Sequence, residues 1–205
     1  MNKRNLLLLG FAVVVAAQLA VPAWMIIERE LTLREGKVFK FKTRPVDPAD
    51  AFRGRYVWLG LEPDKVKVPD ANRWETDRPW RNGKAFAVLG TNAEGFVVVE
   101  RLQREAPAGV CAVPVQVGWC DVKNGEVHIA WPGLDQFFMA EDKAPAADAA
   151  YVEHNRRGNR NGRTNQTERT CYVTIRVRGS CAVLENLYLE DQPVHEWLKQ
   201  HPAGK

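Results

Sequence analysis

Serine is almost absent from this chain: Ser180 is the only one in 205 residues, and it falls in a predicted turn beside Cys181. An apolar N-terminus followed by a β-rich domain invites comparison with serine–lysine proteases of the signal-peptidase type. Those need a serine nucleophile near the membrane-proximal start and a lysine base within hydrogen-bond reach. No serine lies there, which excludes that chemistry. The sequence also has no HExxH and no CxxC, and its histidines (His128, His154, His195, His201) fall on separate predicted elements. No metal site and no cofactor are therefore expected, and the histidines read as surface or partly satisfied residues. Strong charge is missing too. A formal +4 and a pI near 8.9 are mild, with the basic excess local, so no nucleic-acid partner is expected.

What is present begins at the N-terminus. Lys3 and Arg4 precede a run from Leu6 to Ile27 whose only polar side chain is Gln18. As a helix at ~1.5 Å per residue this run spans about 33 Å, enough for the hydrocarbon core. Pro22 sits near the far end, and Trp24 falls at interfacial depth. The flanking positive charge predicts a cytoplasmic N-terminus with the remainder exported. A cleaved signal peptide ending around Val21-Pro22-Ala23 is the rival reading. Its apolar core would exceed the usual length, so a retained anchor over residues 1–30 and an exported domain over 31–205 are expected. In an oxidising compartment Cys111, Cys120, Cys171 and Cys181 become candidates for two disulfides, with three connectivities open.

The expected fold class is mainly β (α+β): an N-terminal transmembrane helix, then an antiparallel β-rich domain with one or two short helices. Residues 28–35 extend the anchor helix, which Gly36 ends. Residues 37–43 alternate Phe39 and Phe41 against Lys40 and Lys42, as in a half-buried strand. Residues 84–89 and 96–102 form a hairpin, as do 110–122 and 127–131 about Asn124-Gly125. Pro114 points to an edge strand or a bulge. Residues 144–157 form a helix with Pro145 in its first turn, 158–170 an arginine-bearing loop, 171–178 and 181–189 a last hairpin about Gly179, and 193–200 a closing helix. With a two-residue loop at Gly179, Cys171 and Cys181, ten apart, face opposite sides of the sheet.

The densest stretch is Pro45 to Leu61, PVDPADAFRGRYVWLGL. Two X-Pro steps at Arg44-Pro45 and Asp47-Pro48 make a rigid corner. The run from Tyr56 to Leu61 is apolar on both faces, which predicts a central strand. Asp47 and Asp50 beside Pro48, and Glu141 after Phe137-Phe138, are the carboxylates available for acid–base work; turn capping and helix-start roles account for them more simply. Trp74 and Trp80 read as a loop packed over the sheet, with ligand stacking as the alternative. Arg156, Arg157, Arg160 and Arg163 read as a solvated loop, with anionic lipid as the alternative.

The same stretch resembles the signature of the GDYXXLXY family: a Pro-Val-Asp-Pro element leading into Arg-Gly-Asp-Tyr, two free positions, Leu, one free position and Tyr. Pro45, Asp47, Pro48, Gly54, Tyr56 and Leu59 fall on it, while Arg55 replaces the aspartate and Leu61 the final tyrosine. Gln136-Phe137-Phe138-Met139-Ala140-Glu141 is similar to a second block of that family, with its aromatic pair ending at Phe138 and its glutamate at Glu141. The resemblance implies a bacterial membrane-anchored protein, some longer relatives of which are joined to multi-pass membrane segments, and it carries no catalytic residues. Three functions are weighed on this basis. The first is a non-enzymatic periplasmic interaction module, anchored once in the inner membrane and partnering a multi-pass membrane protein. The second is a carboxylate-based hydrolase using Asp47, Asp50 or Glu141. The third is a lipid or envelope-polymer binder using Trp74, Trp80 and the arginines.

Overall fold

A computed structural model describes residues 3–44, 56–69, 83–160 and 171–201. Helix α1 (Lys3–Glu35) is continuous through Pro22 and is long and apolar enough to cross a membrane. Its apolar length lies bare, whereas its last turn packs against the domain: Thr32 is fully buried, Leu31 and Leu33 half-buried. Thr32 Oγ1 donates back to the Glu28 carbonyl at 2.8 Å, which satisfies its own hydroxyl at that contact.

Gly36 turns the chain from α1 into β1 (Lys37–Arg44). Its N–H donates to Thr32 O at 2.9 Å. A Cβ here would be driven into that same carbonyl oxygen and would stand 3.2 Å from both Arg176 Cβ and Val177 N. Backbone lies on both sides, so neither can yield cheaply. Gly36→Ala is expected to destabilise the protein by roughly 1–3 kcal/mol, read as a lowered urea midpoint. An unchanged midpoint would mean that the helix end is not seated as described.

Three antiparallel assemblies follow. The first sheet has the order β12-β11-β10-β1-β3, with β3 (Gly60–Leu61), β10 (Cys171–Arg178), β11 (Cys181–Leu189) and β12 (Gln192–Pro193). The second has the order β4-β8-β7-β5-β6, with β4 (Lys65–Lys67), β5 (Lys84–Thr91), β6 (Val97–Gln103), β7 (Ala112–Asp121) and β8 (Glu126–Ala130). Between them β2 (Tyr56–Trp58) and β9 (Gln136–Phe138) form a two-stranded ribbon. Helix α2 (Ala144–Arg160) buries Ala147, Ala150, Tyr151 and His154, a 3.6-residue stripe, and α3 (Val194–Gln200) closes the chain.

The alternating strands put one side of each sheet into a single core. Phe39, Phe41, Val173, Ile175 and Val177 come from the first sheet, Ala85, Ala87, Val113, Val115 and Val117 from the second. Phe41 meets Trp131 edge-on at 5.1 Å, while the Trp131 indole N–H donates to Pro63 O at 3.0 Å. Helix α1 packs on β10 and β11, where Arg178 pairs with Glu35 at 3.2 Å.

Several expectations change here. The run from Tyr56 to Leu61 is not one central strand: Leu59 donates its N–H to Asp135 O, β2 belongs to the ribbon, and β3 lies at the edge of the first sheet, opposite Thr43 and Arg44. Residues 65–67 form β4, antiparallel to β8. Pro114 is not on an edge either, since β7 lies between β5 and β8. Val117 N donates toward β5, to Gly83 O, and Ala112 N the other way, to Gly179 O. Pro114 shares the direction of Ala112, and β8 begins its pairing only at Gln116, so no ladder bond is lost. The irregularity falls instead between Val117 and Cys120. Helix α2 continues through Gly158 and Asn159 to Arg160.

The last hairpin does have its two-residue loop, with Arg178 opposite Cys181 and Cys171 opposite Leu189. Cys171 and Cys181 therefore stand at opposite ends of the hairpin, roughly 20 Å apart at ~3.3 Å per residue. Cys111 and Cys120 are similarly held apart at the two ends of β7. The expectation of two disulfides is corrected: no disulfide joins any of the four cysteines.

Candidate functional site

Of the residues singled out in the sequence, Pro45, Asp47, Pro48, Asp50, Gly54, Arg55, Trp74, Trp80 and Arg163 lie outside the described residues. For Arg156, Arg157 and Arg160 only the helical backbone of α2 is described. The threshold of the Pro45 corner is nevertheless well fixed. The buried Tyr151 donates its hydroxyl to Arg44 O at 2.9 Å, Arg44 Nη1 reaches Asp64 Oδ2 at 2.8 Å, and Thr43 Oγ1 bonds to Cys171 O at 3.0 Å. Helix α2, the residue that leads into β4, and β10 thus converge on the point where the motif segment begins.

Beyond that segment the ribbon brings the two sequence blocks together. Tyr56 is registered opposite Phe138, Val57 opposite Phe137 and Trp58 opposite Gln136. Pleating sends Val57, fully buried, and Phe137 inward, and turns Tyr56, Trp58 and Phe138 outward. The Tyr56 ring stands 5.6 Å from that of Phe138 and 6.1 Å from that of Trp58. Phe138 is 68% exposed. Three aromatics therefore share one outer face, and the most exposed is the purely apolar one, as in a docking surface rather than a core. Leu59 goes the other way and is 2% exposed. Glu141 lies in the exposed turn before α2.

The family model described as GDYXXLXY protein matches residues 18–187. The chain belongs to the GDYXXLXY family. No curated protein and no solved structure matches it. In this member the family's first block divides physically, with Leu59 serving the core and the half-buried Tyr56 joining the aromatic face that Phe138 exposes.

A second cluster was not visible in the sequence. His154 is 6% exposed; its Nδ1 lies 2.7 Å from Ala150 O and its Nε2 3.3 Å from Glu190 Oε1, with Trp197 edge-on at 5.2 Å. Glu190 and Asp191 both have positive φ, 52° and 64°, in the tight turn between β11 and β12. Cys171 is buried nearby. Burial first, and the Glu190 charge second, push its thiol up to about 12. A nucleophilic cysteine needs the opposite shift, so this cysteine, histidine and glutamate form a structural knot. Tyr172 is likewise pushed up to about 12, by burial first and then by its hydrogen bond to Asp191.

Trp119 also escaped the sequence reading. The irregularity at Gly118-Trp119 lays its ring, 57% exposed, flat on His128 at 3.9 Å. A glycine-aromatic pair inside an alternating strand was the available signal. Among the described residues no three His, Cys, Asp or Glu side chains form a group able to hold a metal ion.

Proposed function

We propose that this protein is a single-pass, membrane-anchored interaction module. Its domain stands on the periplasmic side of a bacterial inner membrane and engages a multi-pass membrane protein, with the face of Tyr56, Trp58 and Phe138 as its contact surface outside the bilayer. One observation carries the reading: the apolar length of α1 from Leu7 to Ile27 lies bare, save for a half-buried Val15, while the last turn of the same helix is packed on the domain. A soluble protein would leave that apolar surface in water at a cost of about 25 cal/mol per Å². Lys3 and Arg4 before the span support this orientation, since positive flanks favour the cytoplasmic side. Holding the domain at the membrane surface raises its effective concentration near a membrane partner.

The full chain is expected to resist alkaline carbonate extraction and to become protease-sensitive only when the outer membrane is permeabilised. Release into the carbonate supernatant, or cleavage of the domain from the cytoplasmic side, would refute the anchor or its orientation. Phe138→Ala is expected to leave the urea midpoint nearly unchanged and to reduce co-purification with the membrane partner by about tenfold or more, as truncating an aromatic anchor does. Undiminished co-purification would remove the ribbon from the contact.

A further inference from the structure

The anchor carries information beyond its length. Gln18 is the only polar side chain between Leu6 and Ile27 and lies near the middle of that run, about 18 Å from its start and about 14 Å from its end at ~1.5 Å per residue, too deep for a short amide to reach the interface. Pro22 is four residues further on, inside the helix. In a regular α-helix the N–H of residue 22 bonds the carbonyl of residue 18, and proline has no N–H. The amide side chain of Gln18 and its main-chain carbonyl are thus two hydrogen-bonding groups at one level of the hydrocarbon. Neighbouring helices are a usual means of satisfying such groups in a bilayer.

Gln18 also sits within a stripe. Phe11, Val14, Gln18, Val21 and Met25 recur at alternating spacings of three and four, the repeat of a helix–helix seam, and all are exposed along α1. The position of the domain narrows the choice of occupant. Thr32, buried where α1 meets the sheet, follows Gln18 by fourteen residues, nearly four turns, so on a regular helix the two lie within about 40° of one face. The domain therefore overhangs the seam. A second copy laid parallel in that seam would carry its own domain on the same inward side, and the two domains would collide. A helix that turns back at the membrane surface carries no such bulk.

Resting on the anchor reading above, we propose that Phe11, Val14, Gln18, Val21 and Met25 form an in-membrane docking face, centred on Gln18. It receives one transmembrane helix of a multi-pass protein, which lies beneath the domain and presents a hydroxyl or amide donor to Gln18 at mid-bilayer depth. The recognition is a buried polar pair set in an apolar seam, so it specifies depth and rotation as well as affinity.

The test places a photo-reactive amino acid at Val14 or Val21, on the docking face, and at Ala16 or Ala23, on the opposite side, in the full chain in its native membranes. Val14 and Val21 are expected to give an adduct with a protein of two or more spans, on the order of tenfold above Ala16 and Ala23. Gln18→Leu, which makes the span more apolar and keeps it in the membrane, is expected to reduce that adduct by about tenfold, the equivalent of roughly 1.4 kcal/mol. Equal labelling from both sides, an adduct indifferent to Gln18→Leu, or an adduct of twice the chain's own mass would overturn the proposal. Carbonate extraction of the same membranes separates the two levels. A chain that stays in the pellet without an adduct refutes the docking face alone, and a chain that is released refutes the anchor itself.

Discussion

Leu59→Ala is expected to destabilise the protein by about 3–4 kcal/mol, within the range for truncating a fully enclosed leucine. For a chain of this size that lowers Tm by roughly 6–16 °C. The large effect follows from position. Leu59 is the hinge residue between the ribbon and the edge of the first sheet: its N–H is committed to Asp135 O, its side chain is 2% exposed, and Val57 and Leu61 on either side are buried in the same core. A cavity here has main chain held from both sides, so little collapse can fill it. Phe138→Ala provides the contrast. With 68% of its surface already in water, its truncation should change stability by less than about 1 kcal/mol. Parallel urea titrations of the two variants measure the difference. A mild Leu59→Ala together with a severe Phe138→Ala would reverse the division of the motif into core and contact residues.

That division explains what could be read from the sequence. Period-2 alternation at Phe39 and Phe41, and turns at Asn124-Gly125 and Gly179, are local signals, and the strand and the two hairpins they mark are present. The run YVWLGL is different. An apolar stretch reads the same whether it is one central strand or two short strands in different sheets, because burial on both sides produces either. Only the long-range bond from Leu59 to Asp135 O decides it. Pro114 misled for a related reason: an edge or a bulge was inferred from a missing N–H, but an interior strand tolerates that loss where its neighbour has not yet begun to pair. The aromatic face was half legible. Tyr56 and Phe138 each stood out through the family's blocks, but their juxtaposition depends on the pairing of β2 with β9, across some eighty residues. The knot of His154, Glu190 and Cys171 was not legible at all, since its members come from α2, the turn after β11, and β10, with nothing in their spacing to join them.

That knot yields the second large effect, which appears as a dependence on alkaline pH. Burial, followed by the Glu190 charge, lifts the Cys171 thiol from an ordinary value of 9.0 to about 12. Between those values the unfolded chain has lost the proton and the folded chain still holds it, so the folded state binds more protons and stability falls as pH rises. The contribution is fully present below pH 9 and is lost on passing through pH 12. Three units at ~1.4 kcal/mol each set an upper figure of about 4 kcal/mol. Tyr172, raised from 10.0 to about 12 by burial and by its bond to Asp191, steepens the fall in the same direction above pH 10. The free energy of unfolding, from urea titrations at pH 8.5, 9.5, 10.5 and 11, should therefore drop progressively, and Cys171→Ala should flatten the part of the slope between pH 9 and 10, where Tyr172 does not yet contribute. If wild type and Cys171→Ala give parallel lines over that interval, the thiol is not enclosed as described.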